Sequence, residues 1–305
     1  DPIHGLYRSL FPPPTWSPVG RLHSNGYDGQ FYAQIALDPL LRDPTLKGVV
    51  DAPVYRARRI LVPATAAILG LGRPWWTLQA YAVLNVACWL GLGWLLQRDI
   101  GRQDWVAFAR WAGCMFSLGV LDSVGQSLVD LPALLLLVLA TRSTQVNGSA
   151  LWLALSALAK ETSLLGAIAL QSEKFRHRSE AWRAGLTLAI VALPLAMWSF
   201  YVQARFGDTP GGEGLGNFTW PLIGLLGQAQ LSVGELLHGN FDGRYSFAPI
   251  AIAGLATQTA FLWRIPQIHS PWWRIGAAYA VLLLFLGPWV WSGYWAACRA
   301  MLPMT

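Results

Sequence analysis

Four stretches of this chain, 75–96, 184–204, 246–263 and 272–291, run the length of a bilayer with Arg274 as their single charge. An apolar helix of about 20 residues crosses the hydrocarbon of a membrane. A water-soluble domain could not cover so much apolar surface. Of the 305 residues, 54% are hydrophobic and 12% charged, against about 25% charged in an ordinary soluble domain. In lipid the outward faces stay apolar, and helices satisfy their own backbone groups. The 17 Trp suit a membrane interface, where an apolar ring with one N–H donor is at home. The expected fold class is all-α, a polytopic transmembrane helical bundle.

Weaker segments fill the intervals. Residues 1–56 hold Pro12, Pro13, Pro14 and Pro18 and too many charges for hydrocarbon. They form an extracytoplasmic loop domain with short amphipathic helices. One is expected over 30–41, with Phe31, Ile35 and Leu37–Leu41 lying on the membrane surface. Residues 57–305 form the helical membrane domain. Within it, 60–72 is short for a span, 104–121 carries Arg110, 126–141 carries Asp130 near its start, and 149–171 is interrupted by Lys160-Glu161-Thr162. The polar loop 205–245 includes an apolar segment, 219–237, expected at the interface. The run Gly211–Gly216 follows a span, not a strand, and reads as flexible loop.

Orientation follows from Lys and Arg in short loops. Residues 172–183, with Lys174, Arg176, Arg178 and Arg183, are richest and are placed in the cytoplasm. The loop 205–245 and residues 292–305 then lie outside. If 149–171 is a hairpin of two short helices, Asp122, Asp130 and Glu161 also face outward, and 60–72 becomes a re-entrant or interfacial helix. The chain opens on Asp1 and stops at Thr305, which leaves room for a longer natural protein at either end.

The net charge of +6 does not point to nucleic acid, because the basic residues are scattered among apolar stretches. Cys88, Cys114 and Cys298 lack metal-type spacing and read as packing residues. His4, His23, His177 and His269 are dispersed, so no His/Cys metal cluster is expected.

An ionisable group at membrane depth costs roughly 2.5–3.5 kcal/mol on insertion scales, so each asks for a reason. Asp28, in Gly26-Tyr-Asp-Gly-Gln-Phe-Tyr32, is either a general base at a membrane-surface site or a turn or helix-cap residue. Tyr27 and Gln30 flank it and are read as substrate-binding. Asp51, Arg56, Arg58 and Arg59 precede an apolar helix on the outer side, where basic residues are not expected. Their guanidiniums either bind a lipid phosphate or snorkel and pair with Asp51. Asp122 and Asp130 lie at a junction of apolar stretches. Asp122 reads as a site group or a solvated loop residue, and Asp130 as a site group or an N-cap with Pro132 in the first turn. Lys160 and Glu161, adjacent on one helix, point about 100° apart, so each needs a partner elsewhere. Arg299 is a site cation or an interfacial anchor, and Arg244 and His238 are weaker candidates.

Four segments together are familiar: Gly26–Pro39, Tyr55–Pro63, Ala157-Leu-Ala-Lys-Glu-Thr162 and Arg299-Ala-Met-Leu-Pro303. They resemble a bacterial family of GT-C-like integral membrane proteins associated with cell-surface glycopolymer formation. More distantly they are similar to polyprenyl-phosphate-sugar-dependent mannosyltransferases. The resemblance implies an acidic catalytic residue in the first outer loop, matched by Asp28. It implies a sugar donor on a polyprenyl phosphate, a glycan or lipid acceptor outside, and a site on the outer face of a bacterial inner membrane. Transfer would be inverting, with Arg56, Arg58 or Arg59, Lys160 and Arg299 neutralising the leaving phosphate. Asp130 and Glu161 would bind sugar hydroxyls or orient those cations. Some relatives use a divalent metal, which nothing in this sequence demands. The family's helix before the outer loop is not among residues 1–20; a longer natural chain would supply it. The rivals are a transporter or flippase for a lipid-linked or small anionic substrate, using the broken helix 149–171, and a scaffold for glycopolymer assembly.

Overall fold

The structure is a computed structural model that describes residues 28–100, 104–167, 178–207 and 215–304, and every regular element among them is a helix. Three helices are long and apolar enough to cross a membrane, within α5 (Pro74–Ile100), α10 (Arg178–Phe206) and α12 (Gly243–Arg264). The molecule is a helical membrane-associated protein. The outward side chains of α10 explain why water cannot be its only solvent: Leu186, Ile190, Leu193, Met197 and Phe200 are all exposed.

At the centre stand α8 (Asp130–Arg142) and α9 (Val146–Ala159), joined by a three-residue turn. Helix α9 buries Ser149, Leu153, Ser156 and Ala157, a stripe at helical spacing in which small residues dominate. Small side chains let two helices approach closely where lipid removes the hydrophobic drive between them. Ser156 Oγ, fully buried, donates to the Ala133 carbonyl of α8 at 2.7 Å. Arg142, in the last turn of α8, donates to the Leu95 carbonyl of α5 at 2.7 Å. These contacts fix α8 and α9 against the long span.

Several expected elements differ. The helix expected over 30–41 is α1 (Asp28–Leu37), and it does not lie on a membrane surface. Gly29 and Phe31–Ala36 are all buried, Gln34 among them, so the helix is packed within the protein on several faces rather than along one apolar side. The 104–121 stretch is broken at Phe116–Ser117 into α6 (Trp105–Met115) and α7 (Leu118–Gly125), with Ser117 extended at the N-cap. The 272–291 stretch is broken too. Helix α13 (Pro271–Leu284) stops before Pro288, where α14 (Pro288–Trp291) begins. Its freed backbone groups are taken up by the preceding loop: Leu222 N–H and Thr219 N–H donate to the Leu284 and Phe285 carbonyls, and Gly287 N–H donates to the Asn217 carbonyl. Residues 60–72 yield the short α4 (Leu61–Leu69), about 14 Å long at 1.5 Å per residue and no full crossing.

Helix α11 (Ile223–Leu237) is inverted. It buries Gly224, Gln228 and Ser232 and exposes Ile223, Leu226, Leu231, Val233 and Leu237. A polar inner stripe with an apolar outer face suits hydrocarbon, and it accounts for the apolar 219–237 segment of the sequence.

The last turns of α10 tie down the segment that precedes α4. Trp198 Nε1 donates to the Ala57 carbonyl at 2.7 Å, Tyr201 OH to Leu40 at 2.5 Å and Arg205 Nε to Leu41 at 3.0 Å. That segment holds α2 (Leu46–Val49) and α3 (Pro53–Ala57). Helix α1 in turn packs on the turn between α7 and α8, where Ser127 takes a left-handed backbone, φ 51°. Gly29 makes the approach: a Cβ there would lie 2.0 Å from the Gln126 carbonyl oxygen. Gly29→Ala is therefore expected to destabilise the protein by about 1–3 kcal/mol through overpacking. Gly113→Ala, with open space around it, is expected to be neutral or slightly stabilising. Thermal unfolding of the purified variants, followed by size-exclusion chromatography, checks the pair; equal melting points would contradict this packing.

Candidate functional site

The costly charges gather at one end of the α8–α9 hairpin. Helix α8 begins at Asp130 and α9 ends just before Lys160, whose extended backbone (φ −155°, ψ 120°) breaks the helix into a 3₁₀ turn over Glu161–Gly166. A carboxylate at a helix N-terminus and an ammonium at a C-terminus both match the helix dipole. Lys160 Nζ donates to Asp130 Oδ1 at 2.6 Å, with both side chains about one-tenth exposed. Asp130 is the first residue of α8 and not its N-cap, since Val129 takes that position. The adjoining Leu131 N–H is capped by Ser123 Oγ at 3.0 Å, which leaves the Asp130 carboxylate for Lys160.

Glu161 finds its partner far away in sequence. Arg59 donates to both its oxygens, Nε to Oε2 at 2.9 Å and Nη2 to Oε1 at 2.6 Å. Arg59 also donates to Tyr32 OH at 2.9 Å and to Tyr55 OH, and lies over the Tyr55 ring at 4.2 Å. Arg56 grips Asp51 through Nε and Nη2, both at 3.0 Å, and donates to Asp28 Oδ1 at 2.8 Å. Its guanidinium rests among the rings of Phe31, Tyr32 and Tyr55. The break at Lys160 is what turns Lys160 and Glu161 toward these two separate partners.

Arg299, near the end of α15 (Tyr294–Ala300), closes the cluster. Its Nη2 lies 3.4 Å from Asp28 Oδ2, and its Nε lies 3.2 Å from Asp122 Oδ2. Helix α7 brings Asp122 there by lying close on α15: a Cβ on Gly119 would stand 2.8 Å from the Cys298 carbonyl. Lys160 Nζ reaches the Arg299 carbonyl at 3.4 Å, which ties the end of α9 to α15.

Exposure divides the cluster into layers. The side chains of Asp28, Asp51 and Glu161 are about one-third exposed (33%, 34% and 32%). Arg56, Arg59, Lys160, Arg299, Asp122 and Asp130 are about one-tenth exposed. Three carboxylates thus form the accessible rim, and the four cations lie in the floor together with Asp122 and Asp130. Burial alone would raise the Asp28 carboxyl, but Arg56 and Arg299 outweigh it and hold its pKa below the ordinary carboxylate value. Burial pushes Asp122 the other way, upward, against the pull of Arg299.

Some expected members stand apart. Arg58 has a buried Nε with no hydrogen-bond partner and makes none of the cluster's ion pairs. Gln30 is half-buried on α1, one residue past Gly29. Tyr27 lies outside the described residues, as do His4, His23, His177, Lys174 and Arg176; the side chains of Arg178, Arg183 and Arg244 are likewise not described. Tyr32, Tyr55 and Tyr81 were not expected as site residues. Tyr81 OH donates to the Ser127 carbonyl at 2.6 Å and supports the turn between the two floor aspartates. Tyr32 and Tyr55 sit inside the motifs around Asp28 and Arg56, which is the one signal that could have marked them. Among the described residues no group of three or more His, Cys, Asp or Glu is placed to hold a metal ion. Each cluster carboxylate faces a cation of the chain itself. A separate cavity of about 640 Å³, lined by residues such as Leu92, Val138, Phe261, Trp273 and Leu302, contains none of these charges.

Removing one member of a buried pair strands the other. Lys160→Met is expected to destabilise by about 3–5 kcal/mol, and Asp130→Asn in the same chain should recover part of that loss. A double-mutant cycle on thermal unfolding should give a coupling of about 1–3 kcal/mol; simple additivity would mean the pair is not made.

No protein family, curated protein or solved structure matches this chain.

Proposed function

We propose that this protein is a multi-pass membrane glycosyltransferase of GT-C type. It moves a sugar from a polyprenyl-phosphate donor to a glycan or lipid acceptor on the outer face of a bacterial inner membrane, in cell-surface glycan assembly. The observation that carries the reading is the layered cluster: a carboxylate, Asp28, stands at the accessible rim above buried cations, all at one end of the central hairpin. That is the arrangement a transfer between a hydroxyl and a lipid phosphate requires.

Asp28 accepts the proton of the acceptor hydroxyl as that oxygen bonds to the anomeric carbon. The bond from that carbon to the phosphate oxygen breaks on the opposite face, and its electron pair stays on the phosphate. The configuration inverts. Preorganised cations beneath the site stabilise the charge that develops on the leaving phosphate and need no reorganisation during the reaction. Rim carboxylates Asp51 and Glu161 accept hydrogen bonds from sugar hydroxyls, and Asp130 orients Lys160.

The transporter reading draws on the break at Lys160, since discontinuous helices mark transport sites. The cluster charges, however, collect at the ends of α1, α8, α9 and α15 rather than along the middle of a spanning helix, which favours the enzyme reading. The test is transfer of radiolabelled sugar from a panel of polyprenyl-phosphate donors in proteoliposomes. Asp28→Asn is expected to lower the rate per folded molecule by about 10²–10⁴, with the folded fraction measured by size-exclusion chromatography. Movement of a lipid-linked sugar across the bilayer, without transfer and unaffected by Asp28→Asn, would favour the transporter.

A further inference from the structure

The four cations of the floor are not equally held. Arg59 has a two-pronged carboxylate contact and two tyrosine hydroxyls. Arg56 has a two-pronged contact with Asp51 and a short bond to Asp28. Lys160 has its 2.6 Å bond to Asp130. Arg299 has only long contacts. It is 9% exposed, its bond to Asp28 is 3.4 Å, and its Nε faces Asp122 at 3.2 Å without hydrogen-bond alignment. Both Arg299 Nε and Asp122 Oδ2 are buried without a hydrogen-bond partner. A guanidinium buried with an idle donor is costly in the empty site and is ready for an anion that fills its fork.

We infer that Arg299 is the phosphate receptor of the cluster, and that a bound phosphate takes it by exchange with Asp28 and Asp122. The inference rests on the lipid-phosphate reading above. Exchange is required by the charge balance. Asp28, Asp51, Asp122, Asp130 and Glu161 face Arg56, Arg59, Lys160 and Arg299, so an added anion must displace a carboxylate to be accepted. The weakest contacts give way first. When Arg299 turns to the phosphate, Asp28 keeps Arg56 on Oδ1 and its Oδ2 is freed. That oxygen is then the open acceptor for the hydroxyl proton. Donor binding therefore releases the base, and the donor binds before the acceptor is deprotonated. Asp122 acts as a positioning residue that parks Arg299 in the empty site.

The two sources of phosphate are distinguished by two probes on purified protein in nanodiscs of zwitterionic lipid. One is farnesyl phosphate doped into the bilayer; the other is inorganic pyrophosphate added to the buffer at constant ionic strength. Affinities are read by calorimetry. The arm that binds wild type and fails in Arg299→Gln names the source. In that arm Arg299→Gln is expected to weaken binding roughly thirtyfold or more, with Arg299→Lys intermediate because it keeps the charge and loses the fork. Asp122→Asn and Asp28→Asn, which remove competitors, are each expected to tighten binding about threefold or more; a merely structural role would not produce that gain. Wild-type affinity in Arg299→Gln, unchanged affinity in both carboxylate variants, or no binding in either arm would overturn the inference. Full sugar transfer by Arg299→Gln would also overturn it while leaving the glycosyltransfer reading intact. Arg299-dependent binding without transfer from any donor would do the reverse.

Discussion

The ion pair between Lys160 and Asp130 is the constraint on which the site depends. It joins the end of one central helix to the start of its neighbour at 2.6 Å, with both side chains nearly out of reach of solvent. Taking two charges out of water costs several kcal/mol per ion, and a hydrophobic pair of the same size would often be as stable. The network around it repeats that expense with Arg59–Glu161, Arg56–Asp51 and Arg56–Asp28. Stability alone does not ask for such an arrangement. What it gains is position: four segments distant in sequence are held with a carboxylate rim above the floor that holds the cations.

The scaffold serves that placement. Small residues bring α8 and α9 together, Gly29 seats α1 on the turn after α7, and Gly119 seats α7 on α15. Indole, phenol and guanidinium donors of α10 hold the backbone of the segment that carries Arg56 and Arg59. Outside this packed end, the apolar faces of α10, α11 and α12 are left for lipid. The burial of Gln228 and Ser232 beneath an outward row of leucines on α11 shows the same inversion of polarity on a shorter element.

Much of this was legible in the sequence because a few residues broke its pattern. Asp130, Lys160 and Glu161 stood out as charges in apolar runs; Lys160 and Glu161 do have separate partners, but the extended backbone at Lys160 turns them apart, not a step of about 100° along one helix. The structure supplies Asp130 for Lys160 and Arg59 for Glu161. The long spans around 75–96, 184–204 and 246–263 were readable from apolar length. Tertiary packing decided the rest. The break at Phe116–Ser117 and the one before Pro288 interrupt stretches that apolar length alone reads as continuous, since the freed backbone groups find partners that no local pattern reveals. Helix α1 read as a surface helix because Phe31 and Ile35 suggested one apolar side, whereas Tyr32, Ala33 and Ala36 are buried as well. Arg56, Arg58 and Arg59 looked alike in sequence, yet Arg58 is outside the ion-pair network. Tyr32 and Tyr55 were hidden in plain motifs, because a tyrosine hydroxyl that supports an arginine leaves no charge pattern to notice.

A structure determined in a lipid nanodisc with a polyprenyl phosphate bound would test the central claim most directly. The account predicts the phosphate within hydrogen-bonding distance of the Arg299 guanidinium, beside Asp28, with the Asp28–Arg299 contact opened. A phosphate held elsewhere on the protein, with Asp28, Arg299 and Asp122 paired as they are here, would contradict it.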